Sequence, residues 1–197
     1  LIRGFGALAG LIHAEYRQIT NRYFGSIERF PGDARHIGQQ IIDRLWAGDF
    51  YRTSLGHYNF FWMRDFGTVA ESLSRIHHRT HVHTTLRWAL RHFMRAGKIK
   101  LCIDKAGHVF NAPGKESIDA LPWLLHSIYT SRYALNDAEH AFLNEQISKY
   151  VVKFLDATGD IKKDVKFAEM RDAVYYHRSA YAIALVGRLA ICSEELR

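Results

Sequence analysis

Tyr58-Asn59-Phe60-Phe61-Trp62-Met63-Arg64-Asp65 runs directly into Phe66-Gly67-Thr68-Val69-Ala70-Glu71-Ser72-Leu73. An aromatic run thus delivers an adjacent arginine and aspartate to the mouth of an amphipathic helix, whose inner face is Phe66, Val69, Ala70, Leu73 and Ile76. Aromatic faces beside a bidentate donor and a carboxylate suit a sugar, which offers apolar ring faces and vicinal hydroxyls. The same residues also read as core aromatics followed by an N-cap at Asp65.

Upstream, Phe5 to Tyr23 places Leu8, Leu11, Ile12, Ile19 and Tyr23 on one side of a helix that stops at Gly25. Phe30-Pro31-Gly32-Asp33 is a turn, and Asp33 can cap a helix that carries Ile37, Ile41, Ile42, Leu45 and Trp46 on one face and ends at Gly48. Residues 49–58 form the loop that leads to the aromatic run. Downstream, His77-His78-Arg79-Thr80-His81-Val82-His83 holds four histidines, but no Cys, Asp or Glu within it completes a ligand set, so no metal is expected. The apolar phase restarts with Val82, Leu86, Ala89, Leu90 and Phe93, which predicts a helix break near Arg79-Thr80 and an end at Gly97.

Ile99 to Ile103 alternates apolar and polar, Lys105-Ala106-Gly107 turns, and Val109-Phe110 returns, which reads as one short β-hairpin. A helix is expected from about Ser117, with Ile118, Leu121, Leu125 and Ile128 in phase and Pro122 in its first turn. Asn136-Asp137-Ala138-Glu139 is a capping box for a helix with Phe142, Val151, Phe154 and Leu155 inward and Gly159 at its end. A charged loop, 160–166, leads to Glu169-Met170-Arg171-Asp172-Ala173-Val174-Tyr175-Tyr176-His177-Arg178-Ser179 and a final helix through Ala184, Leu185 and Leu189.

The pattern predicts a single all-α domain of about seven helices with one short hairpin. No βαβ alternation, glycine-rich phosphate loop or GxSxG motif is present, which excludes Rossmann and P-loop enzymes. Helical hairpins arranged as an α/α barrel suit the spacing, with long loops gathered at one end around a concave site.

The 27 basic and 20 acidic residues leave a net charge of +7, but the cations are scattered over helical faces, so no nucleic acid partner is expected. Cys102 and Cys192 are far apart and outside any CxxC spacing, which points to a reducing cytoplasm. The apolar stretch Phe5 to Ile12 is too short to span a bilayer, so no membrane partner is expected. The chain begins at Leu1 and ends at Arg197 in a helix-like stretch, and both ends read as cuts.

Three segments together resemble the six-hairpin (α/α) barrel glycosidases, including glucoamylases and glycogen-debranching glucosidases. Trp62-Met63-Arg64-Asp65 is similar to the segment that reaches the hydroxyls of the non-reducing terminal glucose. Glu116-Ser117-Ile118-Asp119-Ala120-Leu121-Pro122-Trp123-Leu124-Leu125 resembles the Asp-x-x-Ala-Leu helix start at the same sugar site. Glu169-Met170-Arg171-Asp172 stands where those families carry the proton donor, although Met170 and Arg171 replace the usual neighbouring Trp.

The resemblance implies a partial α/α toroid and an inverting, exo-acting hydrolase of α-glucosides, with an oligosaccharide or polysaccharide as substrate and no cofactor. Tyr58 and Trp62 would pack on the terminal sugar while Arg64 and Asp65 bind its hydroxyls. Asp119 reads equally as a hydroxyl contact or a cap. His177 and Arg178 read equally as site-lining residues or a solvated face. Asp172 is the expected acid, with Glu169 as the alternative. The family's base falls late in the barrel, beyond Arg197, so the chain reads as the first half of a barrel and is expected to be inactive alone. A phosphorylase, epimerase or lyase on the same barrel, or a non-catalytic helical binding module, are the alternatives.

Overall fold

The computed structural model describes residues 29–56, 58–112, 114–171 and 174–196, together with Tyr16, Ile19, Thr20 and Tyr23. Those four are helical, and Tyr16, Ile19 and Tyr23 are exposed; the rest of the helix expected over Phe5 to Tyr23 lies outside the described residues.

Helix α1 (Ala34–Leu45) starts as expected, with the Asp33 carboxylate accepting the His36 N–H at 2.8 Å. It ends before Gly48, because Trp46 turns extended and bridges to Tyr51. Strand β1 (Phe61–Trp62) was not foreseen. It pairs antiparallel with β2 (Cys102–Ile103), which pairs in turn with β3 (Val109–Phe110), so the expected hairpin is the far side of a three-stranded sheet. The alternation of a strand divides the aromatic run. Phe61 and Met63 enter the main core, and Phe60 and Trp62 join Leu101, Cys102 and Ala112 in a second small cluster.

Pairing holds Trp62 extended, so α2 (Met63–Leu73) begins at once and Asp65 sits in its first turn rather than capping it. A π-type turn (Ser74–His78) joins α2 to α3 (Arg79–Ala96). The break falls at Ile76 and His77, a few residues before the expected position, with His77 at φ 75°. Gly97 ends α3 in the left-handed conformation, as expected.

Helix α4 (Ala120–Ser131) starts later than expected, because Ser117 forms a parallel bridge with Ala168. Pro122 does lie in its first turn. Helix α5 (Asp137–Phe154) carries the expected capping box, with Asn136 accepting from Glu139 N at 3.0 Å and Glu139 accepting from Asn136 N at 3.0 Å. It stops at Phe154, and Gly159 belongs to the following turn, which the Asp156 carboxylate closes by accepting from Thr158 and Asp160. Helix α6 (Ala180–Glu195) starts at an N-cap serine, Ser179. Residues 169–171 and 174–179, where the final helix was expected to begin, are not helical, because Phe167 bridges antiparallel to Tyr176 and uses those backbone groups.

Alternate helices make the main contacts. Helix α4 is buried on nearly every side and packs against α2 on one flank and α6 on the other. The approach to α2 is close at Gly67, where a Cβ would lie 2.6 Å from Trp123 Cβ. Glycine is required there by contact distance, not by backbone angle. The starts of α2, α4 and α6 lie side by side, joined through Arg64, Asp119 and Tyr181, so the three helices run in the same direction.

Two buried histidines make stability pH-dependent. Burial lowers the pKa of His126 and the Arg188 charge lowers it further; burial, Arg91 and Arg95 do the same to His92. The unfolded chain takes up these protons near pH 6.5, so between that value and the lower folded pKa it binds more protons than the folded state. Stability is therefore full above about pH 6.5 and falls as pH drops below it. Urea midpoints between about pH 7.5 and 5.5 should decrease, with a smaller decrease in His126→Gln. A flat profile would mean that the protonated rings are accommodated.

Candidate functional site

The polar centre of the molecule is Asp119, which is fully buried at the N-cap position of α4 but makes no capping bond. Arg64, in the first turn of α2 and itself buried, donates from Nε to Asp119 Oδ2 at 2.5 Å. The Ser117 hydroxyl donates to the other oxygen, Oδ1. Tyr181, from the first turn of α6, donates to Oδ2 at 3.1 Å and accepts the Trp123 indole N–H at 2.9 Å. Burial raises the Tyr181 pKa and the Asp119 charge adds to it, so the phenol remains a donor at neutral pH. Three donors and the clustered N-termini of parallel helices compensate a carboxylate that burial alone would penalise.

Glu169 is brought to the same end of the helices. Backbone bonds from Ala168 N to Glu116 O (2.7 Å) and from Ile118 N to Ala168 O (3.2 Å) stitch its segment to the one that precedes Asp119. The Glu169 carboxyl is buried and accepts from Ser179 Oγ at 2.5 Å, and Ser179 Oγ accepts from Ala182 N at 3.0 Å. Glu169 thus orients the serine that caps α6. Tyr181 and Trp123 are only half-buried, so the network reaches the surface through them.

The other expected residues lie elsewhere. Asp172 is outside the described residues. Trp62 is buried against Phe60 and Tyr58 (ring centroids 5.5 and 5.0 Å), with Tyr58 exposed, in the small cluster beside the sheet rather than around Asp119. Asp65 is exposed and lines an apolar groove of about 330 Å³ between α1 and α2, with Ile42, Leu45 and Val69. Adjacent residues point about 100° apart on a helix, so Arg64 faces α4 while Asp65 faces α1. His177 and Arg178 are exposed, and Arg178 pairs with Asp160 at 2.5 Å.

Ser117, Tyr181 and Ser179 were not anticipated. A signal for the last did exist: serine directly before the apolar run Ala180 to Leu189 is an N-cap pattern. Beside Ser117 lies a cleft of about 250 Å³ lined by Lys98, Lys100, Lys149 and Lys153. Within it Glu116 pairs with Lys100 and, at 3.2 Å, with Lys153; burial works to raise its pKa, but the two lysines prevail and lower it.

Among the described residues no helix is long and apolar enough to cross a membrane, and no three His, Cys, Asp or Glu side chains converge as a metal site. Cys102 and Cys192 are buried free thiols. No protein-family model, curated protein or solved structure matches the chain.

Proposed function

We propose that the chain forms the first half of an α/α toroid whose complete form hydrolyses α-glucosides from the non-reducing end with inversion. One observation carries the reading: Arg64, Asp119 and Glu169, one from each of the three segments that resemble the glycosidases, are separated along the chain yet lie at the shared N-terminal end of α2, α4 and α6. Strong packing between alternate helices is what an inner ring of parallel helices requires, and it supports the toroid.

In this reading Asp119, held by Arg64, Ser117 and Tyr181, is the fixed floor of the sugar site. Tyr181 and Trp123 at its half-buried rim meet the sugar first, and the tryptophan supplies an apolar ring face. Asp172 is the acid that protonates the leaving oxygen, with Glu169 as the alternative. A second carboxylate from the following hairpins activates water on the opposite face, about 6.5–9.5 Å away.

The lysine cleft beside Ser117 favours one other reading on the same barrel, a phosphorylase with phosphate held by Lys98, Lys100, Lys149 and Lys153. One experiment separates them. The complete protein is incubated with maltooligosaccharides in phosphate buffer, and products are followed by proton NMR and mass spectrometry. First release of β-glucose is expected. A sugar phosphate would assign the phosphorylase, and α-glucose as first product, or no turnover, would overturn the inverting hydrolase.

A further inference from the structure

The histidine cluster after α2 is divided by the fold. His77 occupies the kink, and His83 reaches the Ser131 carbonyl with Nε2 at 2.8 Å. His78 and His81 instead converge on a residue far upstream. Tyr51 Oη lies 3.0 Å from His78 Nδ1 and 3.2 Å from His81 Nδ1, and the two nitrogens are 3.4 Å apart. Two ligands bound to a tetrahedral zinc ion at 2.0–2.1 Å lie about 3.3–3.4 Å apart, so one ion can reach all three atoms at once. We propose that Tyr51 Oη, His78 Nδ1 and His81 Nδ1 form a three-ligand site for a first-row divalent transition metal ion, zinc or copper.

The backbone is bent to make this triad. His77 is a non-glycine residue in the left-handed region, at φ 75° and ψ 9°, inside a π-type turn. Such strain and such turns concentrate at functional sites. The turn resets the helix phase so that His78 and His81, three residues apart, share one face. Trp46 stacks on the His81 ring at 4.2 Å with planes 15° apart, which fixes its orientation. Imidazole and phenolate are both ligands for zinc and copper. The expectation of no metal looked for a carboxylate or thiolate within the cluster, whereas here the third donor is a tyrosine from the preceding loop.

Without metal, hydrogen bonds satisfy the triad in one direction. Gln39 Nε2 donates to Asp43 Oδ1 at 2.9 Å, which turns its nitrogen toward His78 Nε2 at 3.1 Å. His78 then carries its proton on Nδ1 and donates to Tyr51, and the Tyr51 hydroxyl donates to His81 Nδ1. Metal binding requires the phenol proton to leave for solvent and the His78 proton to move from Nδ1 to Nε2. One proton is released per ion, and the Gln39 amide, held by Asp43, gives up His78 Nε2, whose proton then faces solvent.

The test uses tag-free protein stripped with chelator and titrated with Zn²⁺, Co²⁺ and Cu²⁺. Saturation at one equivalent is expected, with release of one proton measured calorimetrically in buffers of different ionisation enthalpy. Copper should develop a phenolate charge-transfer band that is lost in Tyr51→Phe. His78→Ala and His81→Ala should each weaken binding by at least about 10–100-fold, the loss typical even of outer-shell partners. His77→Ala and His83→Ala should bind as wild type. Circular dichroism of each metal-free variant separates lost ligation from lost folding, and if Tyr51→Phe fails to fold, the proton count decides. No saturable binding, or binding that depends on His77 or His83 and retains full strength in Tyr51→Phe, would overturn the site.

Discussion

Asp119→Ala is expected to lower the free energy of unfolding by about 3–5 kcal/mol, the cost of breaking a buried ion pair by removing one partner. The substitution takes away the carboxylate that compensates the buried Arg64 guanidinium and the acceptor of the Ser117 and Tyr181 hydroxyls. It also removes the polar link between the starts of α2, α4 and α6. Replacing both members of the pair, Arg64→Met with Asp119→Leu, should recover a large part of the loss, because two apolar side chains need no compensation. Urea denaturation with linear extrapolation measures both. A loss below about 1 kcal/mol for Asp119→Ala, the range of exposed pairs, would mean that water screens the site and that this carboxylate does not organise the fold.

Under the proposed glycosidase function, removing the general acid from the complete protein should cost about 10²–10⁴-fold in rate on a glycoside with a poor leaving group. A glycosyl fluoride needs little protonation and should be affected far less. The expected result is that Asp172→Asn shows this selective loss. Glu169→Gln should behave differently, because Glu169 holds Ser179 in its capping position. Its loss should lower stability and slow both substrates alike. Selective loss in Glu169→Gln, with Asp172→Asn slowing both substrates equally, would transfer the acid to Glu169.

The features legible in the sequence were those whose partners are neighbours in the chain. Asp33 and His36, Asn136 and Glu139, and Gly97 after Met94 all lie within one helical turn of each other, so residue type and spacing describe the hydrogen bond directly. The β2–β3 hairpin was visible for the same reason, since its turn is local. Helical periodicity likewise marked the inward faces of α3 and α4, and Phe66, Ala70 and Leu73 in α2, whereas Val69 and Ile76 are exposed.

Contacts between distant residues were decided by the tertiary structure. Arg64 and Asp119 are 55 residues apart, and Tyr181 and Asp119 are 62 apart. Asp119 precedes a helix, so its local pattern suits a cap; only the arrival of Arg64 and Tyr181 from the neighbouring helices makes it an ion-pair centre. The third strand was hidden because Phe61–Trp62 is two residues long and pairs across to Cys102–Ile103. The start of α6 was misplaced because the Phe167 and Tyr176 backbones bond each other, outweighing the local preference of residues 169–179 for helix. Tyr51 gave no sign of meeting His78 and His81, because the strained turn at His77 decides which histidines face it. Local hydrogen bonds follow from residue order, whereas burial and charge compensation depend on which helix ends the packing brings together.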